Sequence, residues 1–207
     1  MKKILFFLLI LPTLFFTSEK GDGQGLNHAF LLGYTTGLDT NVTSRRAKLE
    51  FDSANVTLVP QNFKMAFRAA QANISDENGD LLASTNGCWI ADATGDTMQN
   101  GSGLNPGQFT DDWCGQISGI PYVYSSVFIP WPGDSSKYFL FHQTGNYNLT
   151  NTMSSELYYS TIDITQNGGL GSVTQKNVIA VQDTLNAGIT ACKHANGRDW
   201  YSNFKRQ

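Results

Sequence analysis

Val127-Phe128-Ile129-Pro130-Trp131-Pro132-Gly133-Asp134, followed by Lys137-Tyr138-Phe139-Leu140-Phe141-His142, reads as two short strands joined at a tight glycine turn. β-Branched and aromatic residues fill both arms while Pro, Gly and Asp break them, which is the composition of a β-hairpin. Two more segments share the form. One is Asn73-Ile74-Ser75-Asp76-Glu77-Asn78-Gly79-Asp80-Leu81-Leu82-Ala83-Ser84; the other runs from Ala191 to Tyr201 around Lys193-His194-Ala195-Asn196-Gly197. Residues 122–130, 156–164 and 176–181 are expected to be strands for the same reason. Residues 63–72 carry good helix formers, yet they span under three turns and run straight into the first hairpin, so a strand is expected there too.

The turn glycines at 79, 133 and 197 are 54 and 64 residues apart. A propeller blade of four antiparallel strands repeats over roughly 40 to 50 residues, which makes this spacing close to one blade per hairpin. The expected fold is therefore all-β, with antiparallel four-stranded blades forming an incomplete β-propeller of about two to two and a half blades over residues 24–207. A β-sandwich is the alternative, since any three of its hairpins share this look.

Lys2-Lys3 and the short apolar run of residues 4–16 have the form of a secretory signal peptide, expected to occupy residues 1–23. Thirteen residues interrupted by Pro12 are too few for the roughly 20 that cross a bilayer, so no stable membrane span is expected. The chain carries a net charge of −3 with 15% charged residues. Without a basic surface, nucleic acid is not an expected partner.

Three cysteines in an exported chain leave one unpaired. Cys88 and Cys114, at the edges of a glycine-rich loop, are the expected disulfide, and Cys192 is expected to be a buried small hydrophobe. Residues 101–107 are glycine-rich but are expected to lie between strands with no helix behind them, so a phosphate cradle lacks its helix N-terminus.

No local pattern points to catalysis, a cofactor or a metal. His28, His142 and His194 stand singly, without the paired spacing of a zinc site, and no Gly-x-Ser-x-Gly elbow occurs. Residues 75–80 cluster oxygen ligands around Gly79, but Ile74 stands where a calcium loop needs an acid, and a hairpin turn is expected. Asp92, Asp96, Asp111 and Asp112 form a second acidic group between the cysteines. Trp89, Trp113, Trp131 and Tyr147 are candidates for a sugar-binding face, with packing between blades as the commoner use of such rings. Asn-x-Ser/Thr triplets begin at Asn41, Asn55, Asn73, Asn100 and Asn148.

Taken in order, Leu31-Leu32-Gly33-Tyr34, residues 74–82, Thr85-Asn86-Gly87-Cys88, residues 97–101, Ile129-Pro130-Trp131-Pro132-Gly133, residues 158–163, residues 168–173 and residues 193–200 resemble the N-terminal propeller-like region of secreted Bacteroidota proteins. Such proteins commonly end in a type IX secretion sorting domain. The resemblance implies export and display or release at the cell surface, and brings no catalytic residue with it. The polar stretch after Trp200 departs from the family, and a truncated reading frame is expected to account for this and for the missing sorting domain, which would engage the secretion machinery. The expected function is a non-enzymatic binding or structural module with a protein or glycan ligand. The alternative is the N-terminal part of a secreted hydrolase whose active site lies in other blades.

Overall fold

The computed structural model describes residues 29–34, 46–51, 55–115, 118–149 and 153–206. The expected signal peptide, His28 and Asn41 lie outside these residues. Among the described residues twelve strands, one short α-helix and one 3-10 turn follow in order: β1 (Ala29–Leu32), β2 (Ala47–Phe51), β3 (Val56–Pro60), β4 (Ala72–Ser75), β5 (Leu81–Thr85), β6 (Trp89–Ala91), β7 (Thr97–Ser102), α1 (Gln108–Cys114), β8 (Ser126–Trp131), β9 (Asp134–His142), β10 (Met153–Asp163), the 3-10 turn (Asn167–Gly169), β11 (Ser172–Lys193) and β12 (Trp200–Arg206). The fold is all-β, and every strand pairing is antiparallel except one.

β1, β2 and β3 make a small sheet. The other nine strands form two meanders, β4-β5-β6-β7 and β8-β9-β10-β11, with β12 added on β11. A single parallel pairing, Gln99 on β7 with Ser172 on β11, joins the meanders into one sheet. Strands β4 and β8 end the order on opposite sides without pairing to each other, and the sheet does not close into a propeller.

The core lies between the meanders. Ala72, Ile74, Ala83, Ile90 and Met98 from the first meet Phe128, Tyr138, Leu140, Ile162 and Val173 from the second. On β9 both alternating faces are apolar because both are covered. Tyr138 and Leu140 face this core, while Phe139 and Phe141 point to the opposite side with Val127, Leu157 and Tyr159. A strand buried on two faces loses the polar alternation of a half-exposed one.

Covering that second face requires β11 to turn back. As a straight strand its 22 residues would span about 70 Å. Instead the pairing with β12 slips between Leu185 and Ile189, Gly188 adopts φ 111°, and the Ile189 N–H donates to Tyr124 O. Leu185 and Ile189 then pack with Leu157, against Val127, Phe141 and Phe204.

Four sequence expectations change here. Residues 63–71 are neither helix nor strand: Met65, Ala66, Phe67 and Ala70 are buried, and their backbone bonds run outward, Phe67 N–H to Gly33 O and Ala70 N–H to Ile120 O. The strand expected over 122–130 begins only at Ser126, because Tyr124 sits at φ 48°. A helix does follow the 101–107 stretch, since buried Phe109 and Thr110 and the tether of Cys114 hold about two turns in place. Cys192 is exposed and not buried, because its side of the last hairpin faces away from the Leu185–Ile189 cluster.

Candidate functional site

The three hairpins share a turn chemistry that brings side chains to one place. At Asp76-Glu77-Asn78-Gly79-Asp80, the Gly79 N–H closes on Asp76 O and Asp76 pairs back to Asp80, with Gly79 at φ 91°. This is a turn whose last residue takes the left-handed conformation that glycine tolerates. His194 to Asp199 repeats it one residue longer, with the Gly197 N–H on His194 O. Pro132-Gly133 joins β8 to β9 directly, Trp131 pairing with Asp134. Asp92-Ala93-Thr94-Gly95-Asp96 is a further turn of the first kind, so these glycines mark hairpins in general and not one per blade.

The turns at Gly79, Gly133 and Gly197 converge on a cleft of about 570 Å³. Asp76 and Glu77 line it from the first turn, Pro130, Trp131, Gly133, Asp134 and Ser135 from the second, and Lys193, Gly197, Arg198 and Trp200 from the third, with Tyr138 and Ile164 between. The back-folding of β11 is what delivers the third group. Trp131 stacks flat on Phe139, with ring centroids 4.4 Å apart and 12° between planes, and keeps 38% of its surface exposed.

Charge in the cleft is divided. Asp134 is held at about 2, below the usual carboxylate range, by the hydrogen bond from Lys137 and then by Ser136. Asp199 is likewise lowered to about 2 by Arg198, whose Nε and Nη2 bond both carboxylate oxygens. Asp76 Oδ1 accepts the backbone N–H groups of Asn78 and Asp80, so its oxygens build the turn and do not form a cation cage. Glu77 is exposed and has no hydrogen bond or ion pair among the described residues. Tyr138 is 4% exposed, lines the cleft, and its hydroxyl has no hydrogen bond among the described residues; burial, and then the charges of Asp76 and Glu77, raise its pKa.

At the opposite end of the first meander lies a structural plug. Cys88 and Cys114 form a disulfide with Cα atoms 5.5 Å apart, tying α1 to the β5–β6 turn beside Phe109, Ile120 and Tyr122. Trp113 flanks Arg68, which stacks between it and Tyr34. Tyr147 leans on Phe109, and Trp89 fills the space between two apolar clusters. Of the four aromatic candidates only Trp131 reaches the cleft, and it is joined there by Trp200, whose sequence signal is only that of a strand start. Asp92 and Asp96 sit on the β6–β7 turn and Asp111 and Asp112 on α1, and no metal-competent group of acids, histidines and cysteines occurs among the described residues.

His142 is fully buried and lies in an arrangement that single-residue reading missed. Its Nδ1 is 2.8 Å from Asn105 Oδ1 and its Nε2 is 2.9 Å from Ser160 Oγ. Asn105 Nδ2 donates to Gly87 O, and the Asn177 N–H donates to Ser160 Oγ. These donors assign the proton to Nδ1 and make Ser160 the donor to Nε2. The order serine, histidine, asparagine matches a nucleophile, base and orienting group, but a nucleophile must meet its substrate. Ser160, His142 and Asn105 expose no surface, and the second contact of the serine oxygen is filled by Asn177. The cluster is a pin between the meanders.

His194 occupies its turn as expected, its Nδ1 accepting the Asn196 N–H at 3.1 Å. Comparison of the chain with protein-family models, with curated proteins and with solved structures finds no match.

Proposed function

We propose that this chain is an exported, surface-displayed binding module of β-propeller type and that the three-turn cleft is its ligand site. The observation that carries the reading is the cleft itself: three separate turns contribute aromatic surface, acceptors and donors to one concave site, and its lining serine, Ser135, has no hydrogen bond to a base among the described residues, Asp134 being bonded to Ser136 and Lys137 instead. The two meanders serve as blades in this reading, and the last hairpin, packed on the outer face of the second as the second packs on the first, opens a third. Support for export comes from the basic and apolar start of the sequence and from the bonded cysteines, which belong in an oxidising compartment.

The test is production of the full chain in an exporting bacterial host. Mass spectrometry of the secreted or surface fraction should find the first 20 or so residues removed and Cys88 linked to Cys114. Retention in the cytoplasm with reduced cysteines refutes the export reading.

A further inference from the structure

We infer that the cleft binds a saccharide, with a sugar ring laid against Trp131 and Trp200 and its hydroxyls divided between Glu77, Arg198 and Tyr138. This rests on the reading of the cleft as a ligand site and names the class of ligand.

A pyranose has apolar C–H faces and a rim of hydroxyls that each donate and accept. The cleft offers the complement. Trp131 is braced from behind by Phe139, which leaves its other face available. Trp200 lines the same space, and the indole N–H groups of both have no hydrogen-bond acceptor among the described residues. Glu77, exposed and with no hydrogen bond or ion pair among the described residues, supplies a carboxylate acceptor. Arg198 spends only Nε and Nη2 on Asp199, and a guanidinium has five N–H donors. The Tyr138 hydroxyl, held by a buried ring and with no hydrogen bond among the described residues, adds a group able to donate and accept at the base.

Other chemistries fit worse. A phosphate or nucleotide meets three carboxylates, Asp76, Glu77 and Asp134, against two cations, Lys193 and Arg198. A lipid tail leaves the indole N–H groups, Tyr138 and Arg198 desolvated without partners. An extended peptide is recognised by main-chain hydrogen bonds along an open strand edge, and this site is ringed by closed turns. The volume, about 570 Å³, lies inside the range of roughly 300–1,000 Å³ common to small-molecule sites and leaves room for a short oligosaccharide.

The experiment applies the purified full chain to an array of neutral, amino and acidic oligosaccharides and, in parallel, to a library of unmodified peptides, with tryptophan emission followed in solution for each hit. The expected result is binding to at least one oligosaccharide with a shift in tryptophan emission, weakened tenfold or more by Trp200→Ala and by Glu77→Gln, while both variants keep the parent's melting temperature. Trp131→Phe, which retains an aromatic ring on Phe139, should weaken binding several-fold and still fold. Peptide binding lost in the same variants overturns the saccharide assignment and leaves the ligand site standing. Oligosaccharide binding unaffected by all three variants overturns the placement, and binding to neither array overturns both.

Discussion

His142 Nε2 lies 2.9 Å from Ser160 Oγ in a site with no solvent exposure, so the imidazole can only be neutral there. Burial lowers its pKa from 6.5 to about 3. The unfolded chain takes up a proton near pH 6.5 that the folded chain refuses until pH 3. This contribution to stability is therefore complete above pH 6.5 and is lost as pH falls toward 3, at up to about 1.4 kcal/mol per pH unit. Urea unfolding at pH 7.0, 5.5 and 4.5 should show that slope, and His142→Gln should flatten it. Asp134 and Asp199, both lowered to about 2, add acid sensitivity only below about pH 4, so the two windows separate. Equal stability at pH 7.0 and 4.5 contradicts the assignment.

Joining Cys88 to Cys114 closes a loop with a sequence separation of 26. The chain-entropy estimate for a loop of that size is about 3.5 kcal/mol. Cys88→Ser with Cys114→Ser should lower the free energy of unfolding by about that amount in equilibrium denaturation. A loss under about 1 kcal/mol would mean that the Phe109, Ile120 and Tyr122 packing alone holds the plug.

Gly119 adopts φ 78°, and a Cβ placed on it falls 2.5 Å from the Asn86 carbonyl oxygen. Backbone cannot move aside as a flexible side chain can. Gly119→Ala should destabilise the chain by about 2 kcal/mol or more, seen as a lower denaturation midpoint. Gly103→Ala is the control for the backbone angle, since its φ of 74° carries the same conformational strain with no atom within 4 Å of the added methyl. Equal effects in the two would show that the close approach of 119 to 86 contributes nothing.

Much of the fold is legible in the residues. The Tyr138–Phe141 run, the Gly-centred turns and the β-branched stretches mark strands and hairpins because those signals are local. Residues 63–71 mislead because their apolar side chains are buried under a backbone that bonds to Gly33 and Ile120, both distant in sequence. Cys192 misleads because its apolar neighbours lie on a hairpin covered on one side only. The His142 pin joins residues 87, 105, 142, 160 and 177, and the cleft joins turns from positions 76 to 200, so neither leaves a motif. Asn73 shows the same limit. Its amide bonds Ala29 O and Leu31 N of β1, so the residue that spells a glycosylation triplet is engaged in joining the two sheets.

Exposure of Cys192 sets up a direct chemical check. In the folded, unreduced chain a maleimide should attach once, at Cys192, within minutes and without denaturant. Labelling only after unfolding would mean that the last hairpin lies with its other face outward.

The cleft exists only if the three turns converge, which a distance measurement between the first and third turns can show. Spin labels at Glu77→Cys and Arg198→Cys, in a Cys192→Ser background with Cys88 and Cys114 left bonded, report the separation of the first and third turns by pulsed electron resonance. A single narrow peak at short distance is expected, because both residues line one cleft. A straight β11 carries its far end about 70 Å from Ser172, and a long or broad distribution would contradict the back-folded hairpin and the cleft it completes.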